Sequence, residues 1–298
     1  MIPEAPLKIT APAKINLYLH IVGRREDGLH LLDSLIAFAS IHDTLSLTVA
    51  SETILEIDGP FATQLKAEPN NLVLQAARGL AKLCGVCSGA KLRLTKNLPV
   101  ASGIGGGSSD AAATLKGLIR LWKVQPNNQD LQGLALKLGA DVPVCLNNQA
   151  AFTCGIGERI SKAKPLPLCS LVLVNSGKAV STPAVFKTRT ILQSGFSKPG
   201  RFNYTPEDVS ELVSILKSRH NDLDEAAQLL CPEIGQVLRA LESSQGSLLT
   251  RMSGSGGTCF ALFSYPEEAA TASLDLARRH PDWWVRSGSL ETNIGYTG

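Results

Sequence analysis

The sequence predicts an α+β protein of two domains, residues 1–156 and 157–298. Three observations predict this. Runs with strand alternation and runs with a helical period interleave in both halves. The first half has hairpin-type connections, whereas the second ends in the order strand, helix, strand, helix, strand of a split βαβ layer. A chain of 298 residues is also long enough for two hydrophobic cores.

Ile15, Leu17, Leu19 and Ile21 alternate with Asn16, Tyr18 and His20, a strand period, and Asp27-Gly28 marks the turn after it. Strands are expected at 44–49 and 53–57. A helix follows Asn70-Asn71, with Leu72, Ala76, Leu80 and Leu83 on one face. A strand at 90–95 leads into a glycine-rich segment. A helix follows it, with Ser108, Ser109 and Asp110 as capping types and Ala112, Leu115, Ile119 and Trp122 at helical spacing. Asn128 caps a further helix that ends at Gly139, and 139–143 form a turn. The second half offers a strand at 171–174, a short helix opened by Thr182-Pro183 and a loop over 194–204. Helices at 206–217 and 222–241 come next. A strand, a glycine turn at 253–257, a strand at 258–263, a helix at 267–279 and a strand at 283–286 complete it.

Composition excludes several classes. With 44% hydrophobic and 18% charged residues, the chain is an ordinary globular protein. A net charge of +3 from 29 basic and 26 acidic residues gives no basic face for nucleic acid. The Arg24-Arg25 pair is answered by Glu26-Asp27 and reads as a solvated turn. No apolar run reaches a membrane span, and Met1 to Ile9 has no signal-peptide core, so a cytoplasmic protein is expected. Seven scattered cysteines suit a reducing compartment. Cys84 and Cys87 have the spacing of a metal or redox pair but lack a second pair or a nearby histidine.

The stretch from Leu98 to Asp110 is the most informative. Gly103, Gly105, Gly106 and Gly107 strip it of side chains and permit positive φ. Its backbone N–H groups can then converge on one anion, beside the positive end of the following helix. A phosphate is the natural guest. No Gly-Lys-Ser/Thr closes the segment, and its glycine spacing is not that of a dinucleotide fingerprint.

Three segments together resemble the GHMP small-molecule kinases: Pro12-Ala-Lys-Ile-Asn16, Leu98 to Asp110, and Met252-Ser-Gly-Ser-Gly-Gly257. Arg25-Glu-Asp-Gly-Leu-His30 and Gly139-Ala-Asp-Val-Pro143 bring the resemblance closest to members that act on a cytidine-diphosphate-linked polyol in isoprenoid precursor synthesis. It runs from about residue 8 to 265 and is weakest over 190–245. The resemblance implies a ribosomal-protein-S5-like α/β first domain, a ferredoxin-like second domain and an active site in the cleft between them. It implies transfer of the ATP γ-phosphate to a substrate hydroxyl.

Phosphoryl transfer needs a cradle, charge neutralisation and an aligned nucleophile. The resemblance places the cradle at Pro99, Val100, Ala101, Ser102, Gly103, Ile104, Gly105, Gly106, Gly107, Ser108 and Ser109. Asp141 matches the family's catalytic aspartate, which takes the hydroxyl proton. Lys14 matches the catalytic lysine, which offsets charge on the phosphoryl oxygens. Asn16, on the same strand face, is placed to donate to the substrate. His30 matches a residue that stacks on cytosine, and Leu29, Thr182 and Phe186 match its pocket. Read without the family, Asp141 before Val142-Pro143 is better explained as a helix cap, Lys14 as a solvated strand residue and Phe186 equally well as a core contact.

Two departures stand out. Leu29 occupies a position that is often tyrosine in the family, and leucine cannot stack or donate. Ala101 and Ser102 stand where glycine and Gly or Ala are usual, and alanine at a positive φ costs about 1 kcal/mol. Magnesium is expected to arrive with ATP, since the sequence has no acidic cage for it. The remaining expectations are a small-molecule partner and a monomer or weak homodimer. The rivals are a homoserine- or mevalonate-type kinase and a non-catalytic nucleotide-binding protein.

Overall fold

The computed structural model describes residues 5–65 and 70–291. The part of the N-terminal segment before residue 5 lies outside them. In chain order the elements are β1 (Leu7–Arg24), β2 (His30–Ala50), β3 (Ile54–Asp58), α1 (Ala62–Leu65), α2 (Leu72–Cys84), β4 (Gly89–Thr95), α3 (Gly106–Leu121), α4 (Asn128–Leu138), α5 (Val142–Asn147), β5 (Ala151–Gly155) and β6 (Arg159–Lys162). They continue with β7 (Cys169–Asn175), α6 (Thr182–Ile191), α7 (Val209–Lys217), α8 (Asp224–Leu230), α9 (Glu233–Glu242), β8 (Leu249–Met252), β9 (Thr258–Phe263), α10 (Pro266–Arg279) and β10 (Trp284–Glu291). Among the described residues no helix is long and apolar enough to cross a membrane.

The chain forms two compact units, and β1 and β2 each contribute to both. The first unit takes in the described residues up to Ala13, then His42–Val100 and Gly105–Asn147. Its sheet pairs β2 antiparallel with β4, from Thr44↔Thr95 to Ala50↔Gly89, and β3 parallel with β4, from Ile54↔Lys91 to Asp58↔Thr95. Leu45, Leu47, Leu92 and Leu94 are fully buried with Leu80, Leu115 and Leu118 of the helices, the usual result of one apolar stripe per element. Asn71 caps α2 by accepting from the Val73 amide at 2.8 Å, and Gly85 ends it in the left-handed conformation. Asn127, rather than Asn128, caps α4.

The second unit takes in Lys14–Ile41, Ala101–Ile104 and the chain from Asn148 on. Here β5 pairs antiparallel with β2, from Leu32↔Gly155 to Ile36↔Ala151, and β6 with β5. A second run joins β10, β7, β9 and β8 side by side, all antiparallel. Numbered among themselves in chain order, these four strands lie 4-1-3-2, the ferredoxin-like arrangement, with α9 and α10 packed on the sheet. Their buried face gathers Val172, Val174, Ile234, Val237, Phe263 and Leu276 into one core.

Several elements differ from expectation. Strand β2 begins at His30, fourteen residues before the strand expected from Thr44. The expected helix over 222–241 is two helices, because Pro232 has no N–H to continue the ladder. The expected turn at 139–143 leads into a one-and-a-half-turn helix, α5. Helix α3 starts at Gly106, not Ser108: Gly105 takes φ +61° as its N-cap, so Ser108 and Ser109 are inside its first turn and Asp110 follows just after it. All seven cysteines are free thiols, and Cys145, Cys169, Cys231 and Cys259 are buried.

Candidate active site

Strand β1 carries the first group of residues. Polar side chains at even positions would face water on a half-exposed strand, but both faces of this one are covered. Lys14 and Asn16 are only 5% and 4% exposed. The Lys14 ammonium donates to Asn16 Oδ1 at 3.0 Å, and Asn16 Nδ2 donates to Ser34 Oγ at 2.8 Å. The Ser34 hydroxyl in turn donates to the Tyr18 carbonyl at 2.5 Å. This relay holds the lysine in one orientation. Further along the same face, the Tyr18 hydroxyl donates to Asp33 at 3.0 Å, and burial and that carboxylate push the phenol pKa far up.

The glycine segment is tied to this strand through Ile104, whose carbonyl accepts the Lys14 amide at 2.9 Å. It is also tied to the turn between β8 and β9. Ser253 Oγ accepts the Asn16 amide and donates to the Gly103 carbonyl, both at 3.1 Å. The Thr258 amide donates to the Ser102 carbonyl at 3.0 Å. A Cβ at Gly103 would lie 2.4 Å from the Ser253 carbonyl and 2.7 Å from that of Gly256, and its φ is +77°. Glycine is therefore required there by space as well as by backbone angle. Ala101 sits at φ +50°, so the anticipated strain of about 1 kcal/mol is present.

Pro99, Val100 and Gly105 to Ser109 belong to the first unit, where α3 begins. A helix leaves its first N–H groups without intrahelical acceptors, and Gly106 and Gly107 carry no side chain to cover them. Ser109 instead anchors the helix start: its hydroxyl donates to the Pro12 carbonyl at 2.6 Å and its amide to Gly105 at 2.9 Å.

Asp141 lies in the same unit as α3. It stands at the N-cap of α5, its carbonyl accepting the Cys145 amide at 3.2 Å. The segment is held against α3 at two places. A Cβ on Gly139 would lie 4.0 Å from Ser108 Oγ, and Lys116 Nζ donates to the Cys145 carbonyl at 3.1 Å. The two α3 contacts are eight residues apart, about 12 Å along the helix, with the Ser108 end at the N-terminus of the helix. Burial pulls the Lys116 pKa down to about 8.

A cavity of about 680 Å³ opens in the second unit, lined by Arg24, Leu29, His30, Thr182, Phe186 and Lys187 among others. Four of the five expected substrate residues thus meet at one place, while Asn16 belongs to the β1 relay. The volume lies within the range of small-molecule pockets. The His30 and Phe186 rings are 5.2 Å apart at 33°, a flat apolar surface for a base. Burial first, then the Arg189 and Arg24 guanidiniums, lower the His30 pKa, which keeps this ring neutral and leaves the arginines as the local positive charges. Thr182 Oγ1 lies 2.6 Å from Ser255 Oγ, fastening α6 to the glycine turn.

Sequence reasoning passed over Ser34, Arg24, Lys187 and Arg189. Ser34 had no visible signal, since its role depends on the pairing of β1 with β2. Arg24 was read as a solvated turn residue, although its Nε donates to the Gly28 carbonyl at 3.0 Å and braces the turn that presents Leu29 and His30.

Comparison with known proteins gives the family. Residues 71–155 match the GHMP kinases N terminal domain and residues 206–282 the GHMP kinases C terminal domain. The chain is 49% identical over 282 residues to a 4-diphosphocytidyl-2-C-methyl-D-erythritol kinase of Paramagnetospirillum magneticum, covering 95% of this chain and 98% of that one. It is 47% identical to the same-named protein of Rhodospirillum rubrum, covering 94% and 91%. A crystal structure of 4-(cytidine 5'-diphospho)-2C-methyl-D-erythritol kinase superposes with a TM-score of 0.77 at 31% identity, over 96% of this chain and all of that one. Homoserine kinase from Cytophaga hutchinsonii superposes at 0.70 with 18% identity over 97% and 96%, a likeness of fold. The chain belongs to the GHMP kinases and, within them, to the 4-diphosphocytidyl-2-C-methyl-D-erythritol kinase family.

Proposed function

We propose that the enzyme transfers the γ-phosphoryl group of ATP to the 2-hydroxyl of 4-diphosphocytidyl-2-C-methyl-D-erythritol. The observation that carries this reading is the cavity beside His30 and Phe186. It offers a flat ring surface, apolar walls and the cationic side chains of Arg24 and Lys187, a combination suited to a pyrimidine that bears a diphosphate. Neither homoserine nor mevalonate has a base to use the rings.

Under this proposal the cytosine stacks on the His30–Phe186 pair and Leu29 packs on its edge. The amides of the glycine segment and of the α3 N-terminus hold the triphosphate. The acceptor hydroxyl passes its proton to Asp141 while its oxygen bonds to the γ-phosphorus. The bond to the β,γ-bridging oxygen breaks and ADP leaves with that electron pair. The Lys14 ammonium, oriented by Asn16, offsets the charge on the phosphoryl oxygens. Magnesium enters as part of the nucleotide substrate. Among the described residues no cluster of three or more His, Cys, Asp or Glu side chains is placed to hold an ion independently.

The same reading makes the protein a cytoplasmic enzyme, a monomer or weak homodimer, with no nucleic-acid partner. The test is a panel of alcohols presented with MgATP. Phosphorylation of the cytidylylated polyol alone is expected. Turnover of homoserine or mevalonate at a comparable kcat/KM, or nucleotide binding without transfer to any alcohol, would overturn the proposal.

A further inference from the structure

Behind the glycine segment lies a buried charge cluster that the reaction as described does not use. Lys96 follows β4, Asp43 belongs to β2 and Asp110 is the fifth residue of α3, all in the first unit. The Lys96 ammonium is 2.5 Å from Asp43 Oδ2 and 2.6 Å from Asp110 Oδ2. The three residues are 2%, 0% and 3% exposed. Asp43 Oδ1 accepts the backbone amides of Asn97 at 2.5 Å and Leu98 at 2.8 Å. Asp110 Oδ1 is buried with no hydrogen-bond partner. A Cβ on Gly106 would come within 3.0 Å of Lys96 Nζ, so the start of α3 rests directly on the ammonium.

Stability does not account for such a cluster. Two carboxylates and one ammonium out of water cost more than apolar side chains of the same size, and one carboxylate oxygen is left without a donor. What the cluster supplies is geometry. Through Asp43 it grips the chain where the glycine segment is entered, at residues 97 and 98, and through Asp110 it grips the helix turn where that segment ends. Both ends are thereby fixed to one point.

We infer that Lys96 is a positioning residue for the nucleotide: by bridging Asp43 and Asp110 it sets the span of the glycine segment and hence the convergence of its amides on phosphate. This rests on the proposal that the segment holds ATP. The cost of removing the bridge falls on ATP affinity and not on the cytidine pocket, whose residues belong to the second unit.

The test combines Lys96→Met kinetics with amide hydrogen exchange. In the wild-type enzyme a non-hydrolysable ATP analogue is expected to protect amides within 103–109. In Lys96→Met, the KM for ATP is expected to rise about tenfold or more while the KM for the cytidylylated alcohol and kcat at saturating ATP change less than about threefold. Wild-type protection together with an ATP KM within about twofold of wild type in the folded variant overturns the inference alone. Absence of protection in the wild type overturns the reading of the segment, and the inference with it. If Lys96→Met does not fold, Asp110→Asn carries the test, because it keeps the side-chain volume and loosens only the α3 end. A rise of about threefold or more in the ATP KM supports the bridge, and a smaller change overturns it.

Discussion

Asp110 makes folding stability depend on pH in an unusual direction. Burial is the largest influence on its carboxyl; the Lys96 ammonium opposes it and the Asp43 carboxylate adds to it, and the pKa is pushed up from 3.8 to about 7. Lys96 responds the other way: burial pulls its pKa down, but the two carboxylates outweigh burial and hold it up. Below about pH 7 the buried cluster therefore holds one proton on Asp110, so that a single ammonium faces a single carboxylate; above it both carboxylates are charged. The folded state binds this proton more tightly than the unfolded chain does. The stabilisation is fully present below about pH 4, declines as pH rises, and is gone above about pH 7. That rise from 3.8 to about 7 corresponds to a ceiling of roughly 4 kcal/mol. Asp110→Asn removes the titration and keeps the shape. Urea unfolding of both proteins from pH 4.5 to 8 is the assay. The wild type should lose about 2–4 kcal/mol relative to the variant across that window, with the difference constant above about pH 7. The level of the difference curve includes the weaker hydrogen bond of the amide to Lys96, about 1 kcal/mol at every pH, so the slope is the readout. Parallel stability curves would refute the reasoning.

Three further outcomes follow from the geometry. Gly103→Ala should abolish detectable ATP affinity and lower the melting temperature, because its Cβ meets the Ser253 carbonyl at 2.4 Å in a left-handed backbone; nucleotide titration and a thermal melt check it. Ser253→Ala should cost about 2–3 kcal/mol in urea unfolding, since the buried Asn16 amide and Gly103 carbonyl both lose their partner. Leu29→Tyr should lower the KM for the cytidylylated substrate about 2- to 10-fold by adding a ring beside His30, with the ATP KM unchanged in the same steady-state assay.

Much of the fold was legible because its signals are local. The alternation from Ile15 to Ile21, the apolar face of α2 and the glycine turn at 253–257 all appear where expected. The first part of β2 was not legible. Leu35 to Ala39 at its centre are all apolar and all buried, and such a run has no period to read. The start of α3 was misplaced because serine and aspartate are common caps, whereas Gly105 caps through a left-handed backbone that leaves no side-chain signature. For the site, the motifs singled out Lys14, the glycine segment and the residues that line the ring pocket, and the strand relay explains why a lysine is tolerated at 5% exposure. The Lys96 cluster was invisible for a different reason. Asp43, Lys96 and Asp110 are separated by 53 and 14 residues, and each looks like an ordinary surface charge until pairing of β2 with β4 brings them together.

The most direct measurement of the whole account is the rate of phosphoryl transfer from ATP to 4-diphosphocytidyl-2-C-methyl-D-erythritol by the wild type and by Asp141→Asn, with the product identified by phosphorus NMR. The wild type is expected to form a new phosphomonoester on the 2-hydroxyl. With Asp141→Asn, a kcat lower by about two to four orders of magnitude and an unchanged KM for ATP are expected. Near-normal turnover by the variant, or no phosphomonoester with the wild type, would contradict the proposed transfer.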